Sequence, residues 1–214
     1  MRTTARALLV SLACMLWTQL ALAQSAAPRF EATPFVGYRV GGEFEVEDTE
    51  AATDRSIDLD DDGSFGLDLG LYRDPNSFYE LLYSRQESGL NSTEASLRGL
   101  DITTEYLQVG GTLLFPDETW FVPWLSLTIG ATKFDPGGGG YDSETMFSGS
   151  LGGGLRLPIN ERLSATLGLR GYLTLVDSNT EIFCVSSGGA TCLLKTSGST
   201  FFQGEAQLGL TVRF

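Results

Sequence analysis

Ten carboxylic acids fall within residues 43–62: Glu43, Glu45, Glu47, Asp48, Glu50, Asp54, Asp58, Asp60, Asp61 and Asp62, against the single base Arg55. Inside that run, Asp58-x-Asp60-x-Asp62-Gly63 repeats the first half of an EF-hand calcium loop, in which oxygen ligands alternate before a glycine that makes the sharp turn. The second half departs from the pattern. Counted from Asp58, the twelfth position is Leu69 where a bidentate glutamate belongs, and a strand pattern starts where a helix should. Asp58, Asp60 and Asp62 therefore suit Ca²⁺ or Mg²⁺ only weakly, and the plainer expectation is a solvated loop of mutually repelling charges. No other cofactor is expected.

Much other chemistry is narrowed by what the chain lacks. It contains no histidine, which removes the base of most hydrolytic triads, the commonest metal ligand and the usual proton shuttle; no enzymatic activity is expected. Gly137 to Gly140 are four consecutive glycines without the Lys-Ser/Thr of a phosphate-binding loop, so they read as a flexible tip. Cys184 and Cys192 enclose seven residues without a CxxC motif; in an exported chain such a pair reads as a disulfide stapling a loop tip. With 27 acids against 14 bases the formal net charge is −13, which argues against nucleic acid as a partner.

Export is itself legible. Arg2 and Arg6 precede the apolar run Ala7 to Leu22, which closes on Ala21-Leu22-Ala23, the three parts of a cleavable secretory signal. Residues 1–23 are thus expected to be removed, leaving one domain over 24–214. The run is too short for a spanning helix, which needs about 20 residues. Cys14 follows Ser11-Leu12-Ala13 without the leucine a lipoprotein site requires three positions earlier, so it belongs to the discarded segment.

The elements that carry these residues alternate with a period of two. In the last 13 residues Phe202, Gly204, Ala206, Leu208, Leu210, Val212 and Phe214 interleave with Gln203, Glu205, Gln207, Gly209, Thr211 and Arg213, a strand with one apolar and one polar face. Seven more segments repeat this, with apolar positions at Phe30–Tyr38, Phe65–Leu71, Tyr79–Tyr83, Leu107–Phe115, Phe121–Ile129, Phe147–Leu155 and Leu163–Leu173. Pro/Asn/Asp turns near 74–76, 116–119 and 158–161 alternate with long polar stretches expected as loops near 41–63, 89–100, 133–145 and 176–199. Such a chain is an all-β, eight-stranded antiparallel up-and-down meander with both termini at the short-turn end.

Three features turn the apolar face outward, toward lipid, against the alternative of a water-soluble sandwich or lipocalin-like barrel. The polar face holds Glu31, Asp68, Glu80 and Glu205 against Arg39, Arg156, Arg170 and Arg213, a balance that matters only if these groups are buried together. Ten apolar-face aromatics sort by height: Phe30, Tyr79, Phe115, Phe121 and Phe214 at the short-turn end, Tyr38, Phe65, Tyr83, Phe147 and Phe202 at the other, as two membrane interfaces select. Finally, strands in hydrocarbon must close on themselves, and a transmembrane β-barrel with strands of about 9–11 residues spans the bilayer. The 26 glycines, nearly twice the usage of about 7% in ordinary proteins, suit a small, tightly curved barrel.

These same residues resemble a known family. Phe214 with Leu208, Leu210 and Val212 in step looks like the C-terminal insertion signal of bacterial outer-membrane barrels, and Pro34-Phe35-Val36-Gly37-Tyr38-Arg39-Val40-Gly41 is similar to the first strand of small eight-stranded ones such as the OmpA transmembrane domain, OmpX, OmpW and the opacity proteins. The resemblance implies an outer-membrane location in a diderm bacterium, lipid and lipopolysaccharide around the barrel, recognition of the last strand by the barrel-assembly machinery, and a monomer. It implies a structural or surface-interaction role exerted through the long loops. A narrow channel for small solutes, as in OmpW-like barrels, is the alternative, and an adhesin acting through 43–62 or 177–198 is a second.

Overall fold

A strand in hydrocarbon satisfies its backbone N–H and C=O groups only by pairing on both edges, and the eight alternating segments do so. The computed structural model describes residues 29–47, 54–91, 101–117, 120–137, 143–176, 181–184, 192–195 and 200–214. Every regular element among them is a strand: β1 Phe30–Gly41, β2 Glu43–Glu47, β3 Asp54–Leu59, β4 Asp62–Asp74, β5 Ser77–Asn91, β6 Asp101–Leu114, β7 Val122–Pro136, β8 Glu144–Pro158, β9 Leu163–Leu175, β10 Glu181–Cys184, β11 Cys192–Lys195 and β12 Thr200–Arg213. Strands β1, β4, β5, β6, β7, β8, β9 and β12 pair antiparallel in that order, and β12 returns to β1, which closes an eight-stranded all-β barrel. At the seam Phe30 N–H donates to Phe214 O at 3.1 Å and Phe214 N–H to Phe30 O at 2.9 Å.

Alternation sets polarity. Leu127 is 65% exposed and Leu169 70%, whereas Arg39 and Thr132 are 0% exposed. Most apolar side chains face outward, and the lumen is filled largely by polar ones, with buried clusters around Phe35 and Leu82 and around Phe78, Leu114 and Trp124 among them, the inverse of a water-soluble protein. Phe30, Tyr79, Phe115 and Phe214 are exposed at the short-turn end, and Tyr38, Phe65, Phe147 and Phe202 toward the other.

Strands run further than hydrophobicity alone indicates. The stretch expected as a loop at 41–63 forms the β2–β3 hairpin and the start of β4, with Leu59 of β3 placed across from Leu90 of β5. Gly41 (φ 81°) and Gly42 (φ 113°) take the left-handed backbone that turns β1 into β2. Likewise β7 continues to Pro136, β5 to Asn91, and β8 begins at Glu144, inside stretches expected as loops. Hydrogen bonding, indifferent to side-chain polarity, is what extends them. Past Tyr83 the outward positions become charged and pair on the surface, Arg85 Nη1 3.3 Å from Glu105 Oε1 and Lys133 Nζ 2.7 Å from Asp135 Oδ2, which marks the upper limit of the apolar band.

The expected signal segment 1–23, with Cys14, lies outside the described residues, as do most of the tetraglycine tip and much of 176–199. In the paired β10 and β11, the register sets Cys184 directly across from Cys192.

Candidate functional site: the ion-paired lumen

Strands β1 and β8 hold the first knot of the lumen, at the short-turn end. Arg156 grips Glu31 with both arms of its guanidinium, Nη2 donating to Oε1 at 2.7 Å and Nη1 to Oε2 at 3.0 Å, the fork geometry that makes arginine–carboxylate pairs strong. Tyr72 hydroxyl donates to Glu31 Oε2 at 2.5 Å, and Arg213 Nε stands 3.5 Å from the same oxygen. Arg156 also lies over the Phe78 ring and Arg213 over the Tyr72 ring, at 5.7 and 5.6 Å.

A second knot joins β5 to β9. Arg170 Nη2 donates to Glu80 Oε1 at 2.7 Å, while Thr112 and Ser126 (2.6 Å) donate to Oε2. Arg170 Nη1 reaches Ser150 Oγ at 3.0 Å. Both members are closed off from solvent, with side-chain exposures of 2% and 0%.

The third knot lies toward the loops. Arg39 of β1 donates to Glu205 Oε1 of β12 from Nη2 at 2.8 Å and from Nε at 3.2 Å, and also to Ser84. Tyr172 hydroxyl (2.7 Å) and Gln207 (2.5 Å) donate to Glu205 Oε2. Tyr106 and Tyr172 stack at 4.1 Å, with the Arg39 guanidinium 4.9 and 5.0 Å from their rings. Above it, Tyr106 hydroxyl donates to Gln203 Oε1 at 2.8 Å and Gln203 Nε2 to Gln86 Oε1 at 3.3 Å.

Seven of the eight charges singled out on the polar face thus meet in three knots, with Glu31 taking two arginines. Asp68 is the eighth. Among the described residues no ion pair within 4.0 Å joins it to an arginine, and its Oδ1 has no hydrogen-bond partner. The neutral shell around each carboxylate was not singled out from the sequence: Tyr72, Ser84, Thr112, Ser126, Tyr172 and Gln207. The signal was there, since each stands in the inward phase of its strand.

The remaining candidates lie elsewhere. Asp58 is in β3 across from Asn91, Asp60 N–H donates to Gly89 O at 3.0 Å, and Asp62 opens β4 across from Arg39. These positions are two extended strands and a short break, unlike the tight loop that wraps a calcium ion. Among the described residues no group of three or more His, Cys, Asp or Glu could hold a metal ion. Leu208, Leu210, Val212 and Phe214 all face outward from β12, and the Phe214 ring stacks with Phe30 at 6.2 Å.

The model of the outer membrane protein β-barrel domain matches residues 18–214. No curated protein matches the chain. Among solved structures, Neisserial surface protein A superposes with a TM-score of 0.55 at 13% identity, over 86% of this chain and 97% of its own. OprG from Pseudomonas aeruginosa does so at 0.56 and 13%, over 88% and 96%. The outer membrane protein AlkL, determined in lipid bilayers, gives 0.55 and 9%, over 87% and 90%. At these identities the likeness is one of fold.

Proposed function

Since the chain belongs to the outer membrane protein β-barrel domain family, we propose that it is a plugged, non-catalytic barrel whose work is done by its loops: envelope integrity, and contact with ions, lipids or other surfaces. In this reading a secretory signal over 1–23 is cleaved, and the C-terminal strand bearing Leu208, Leu210, Val212 and Phe214 is read by the barrel-assembly machinery. The monomeric barrel then sits among outer-membrane lipid and lipopolysaccharide. One observation carries the plugged reading above the others: two arginine–carboxylate pairs cross the lumen between strands that are not neighbours, and a third, between the paired β1 and β12, is closed by Ser84 of β5 and Tyr172 of β9. Eight strands enclose little more than packing space, and opening a passage would separate charges that have no water to replace their partners. The luminal glutamates Glu31, Glu80 and Glu205 are all committed to arginine and hydroxyl donors, which takes them out of acid–base service.

Recording from purified protein in planar bilayers tests this. The expected trace has no stable unitary steps; reproducible, selective steps would instead establish the solute channel. Deleting 43–62 or 177–198 is expected to leave a heat-modifiable barrel while removing surface contacts, and loss of cell attachment in those deletions would identify an adhesin. In the last long loop Cys184 and Cys192 form a disulfide in this reading, so the unreduced mature protein should titrate no free thiol. The β2–β3 hairpin sets Glu43 across from Asp58 and Glu47 across from Asp54, like charges that repel. A divalent ion bridging them to anionic outer-leaflet lipid would relieve that repulsion. Calorimetry with millimolar Ca²⁺ should register heat, and a flat titration removes the ion from the proposal.

A further inference from the structure

Between Arg156 of the first knot and Arg170 of the second lies a cavity of about 30 Å³, walled also by Phe35, Asp68, Trp124 and Gln207. Four residues on its wall each carry a buried polar atom that has no hydrogen-bond partner in the protein: Asp68 Oδ1, Trp124 Nε1, Arg156 Nε and Arg170 Nε. Buried polar atoms are nearly always satisfied, and a group of them around one space calls for a common partner. That partner must accept from three N–H donors and donate to one carboxylate oxygen.

Charge selects its class. The two guanidiniums on its wall, Arg156 and Arg170, are already paired with Glu31 and Glu80, so neither is left as an uncompensated cation to hold an anion. An added anion would leave a net charge in a medium of low dielectric, which is costly; a neutral guest adds none. Size selects further, because each water needs about 10–15 Å³ of such space, and the cavity has room for about two. We propose that this cavity is a hydration site built into the barrel, in which a pair of water molecules accepts from Trp124 Nε1, Arg156 Nε and Arg170 Nε and donates to Asp68 Oδ1. Through that pair Asp68, the one luminal carboxylate without its own arginine, ties the two knots together, so Asp68 is a positioning residue.

Water-to-protein magnetisation transfer on ¹⁵N-tryptophan-labelled mature protein in micelles tests the site. The Trp124 indole N–H is expected to show a direct cross-peak to water with the sign of a long-lived complex, while Trp120, 77% exposed, shows only fast exchange. Asp68→Leu should abolish the Trp124 cross-peak and leave the Trp120 signal unchanged, while Asp68→Asn should retain it. A Trp124 N–H without water contact in the native protein overturns the proposal. So does a saturable shift of that resonance on titrating bromide, which would make the guest an anion. Should Asp68→Leu fail to fold, the two measurements on the native protein decide alone.

Discussion

Arg39 is closed off from bulk solvent: it is 0% exposed, held by Glu205 and Ser84 and flanked by two tyrosine rings. Arg39→Ala strands Glu205 as a buried carboxylate with only neutral donors, and breaking a buried pair in this way costs roughly 3–5 kcal/mol. Arg213 serves as the control. Its side chain is 27% exposed and stands 3.5 Å from a glutamate that Arg156 already grips, so Arg213→Ala is expected to cost under about 1 kcal/mol. Urea unfolding of the two variants in lipid vesicles, followed by tryptophan emission, separates them; equal losses would mean that the third knot is not a unit.

At the scale of the strand, closeness between neighbours matters more than side-chain type. Gly130 of β7 stands across from Gln108 of β6, and a Cβ there would lie 2.1 Å from Leu107 O and 2.6 Å from Gln108 Cα. No rotamer relieves a clash with backbone, so Gly130→Val should prevent β6 and β7 from pairing. Gly204 of β12 offers a contrast, since its nearest neighbour would be Val40 Cγ2 at 3.7 Å, an ordinary contact, and Gly204→Ala should fold. Unheated samples on a denaturing gel read the outcome directly: fast-migrating folded barrel for Gly204→Ala and little or none for Gly130→Val. The acidic segment teaches a related lesson. Its ten carboxylates read as loop from composition, yet its backbone continues the sheet as a hairpin, because β5 runs beyond its pairing with β4 and offers β3 an edge.

For the whole molecule the decisive property is that its greasy surface faces out. Leu127 pairs with Leu151 and Gly111 on the outer face and is 65% exposed. Near the midplane of a bilayer, Leu127→Arg should cost roughly 2–4 kcal/mol of stability in vesicles, whereas on a water-washed sheet the change would be close to neutral. Unfolding titrations in lipid measure this, and an unaffected midpoint would contradict the inside-out arrangement.

The chain by itself determined the number of barrel strands, the phase of each and the polarity of the two faces. Those are local properties: successive side chains on a strand point to opposite sides whatever lies beyond. Thus Leu208 and Arg213 could be sorted to opposite faces from their parity alone. Which charges meet could not be sorted that way. Arg156 on β8 reaches Glu31 on β1, and Arg170 on β9 reaches Glu80 on β5, across a lumen whose stagger is a property of the closed barrel and of no single strand. Only closure, therefore, decided that Glu31 takes two arginines while Asp68 takes none, and that hydrophobic patterning understates how far β5, β7 and β8 extend.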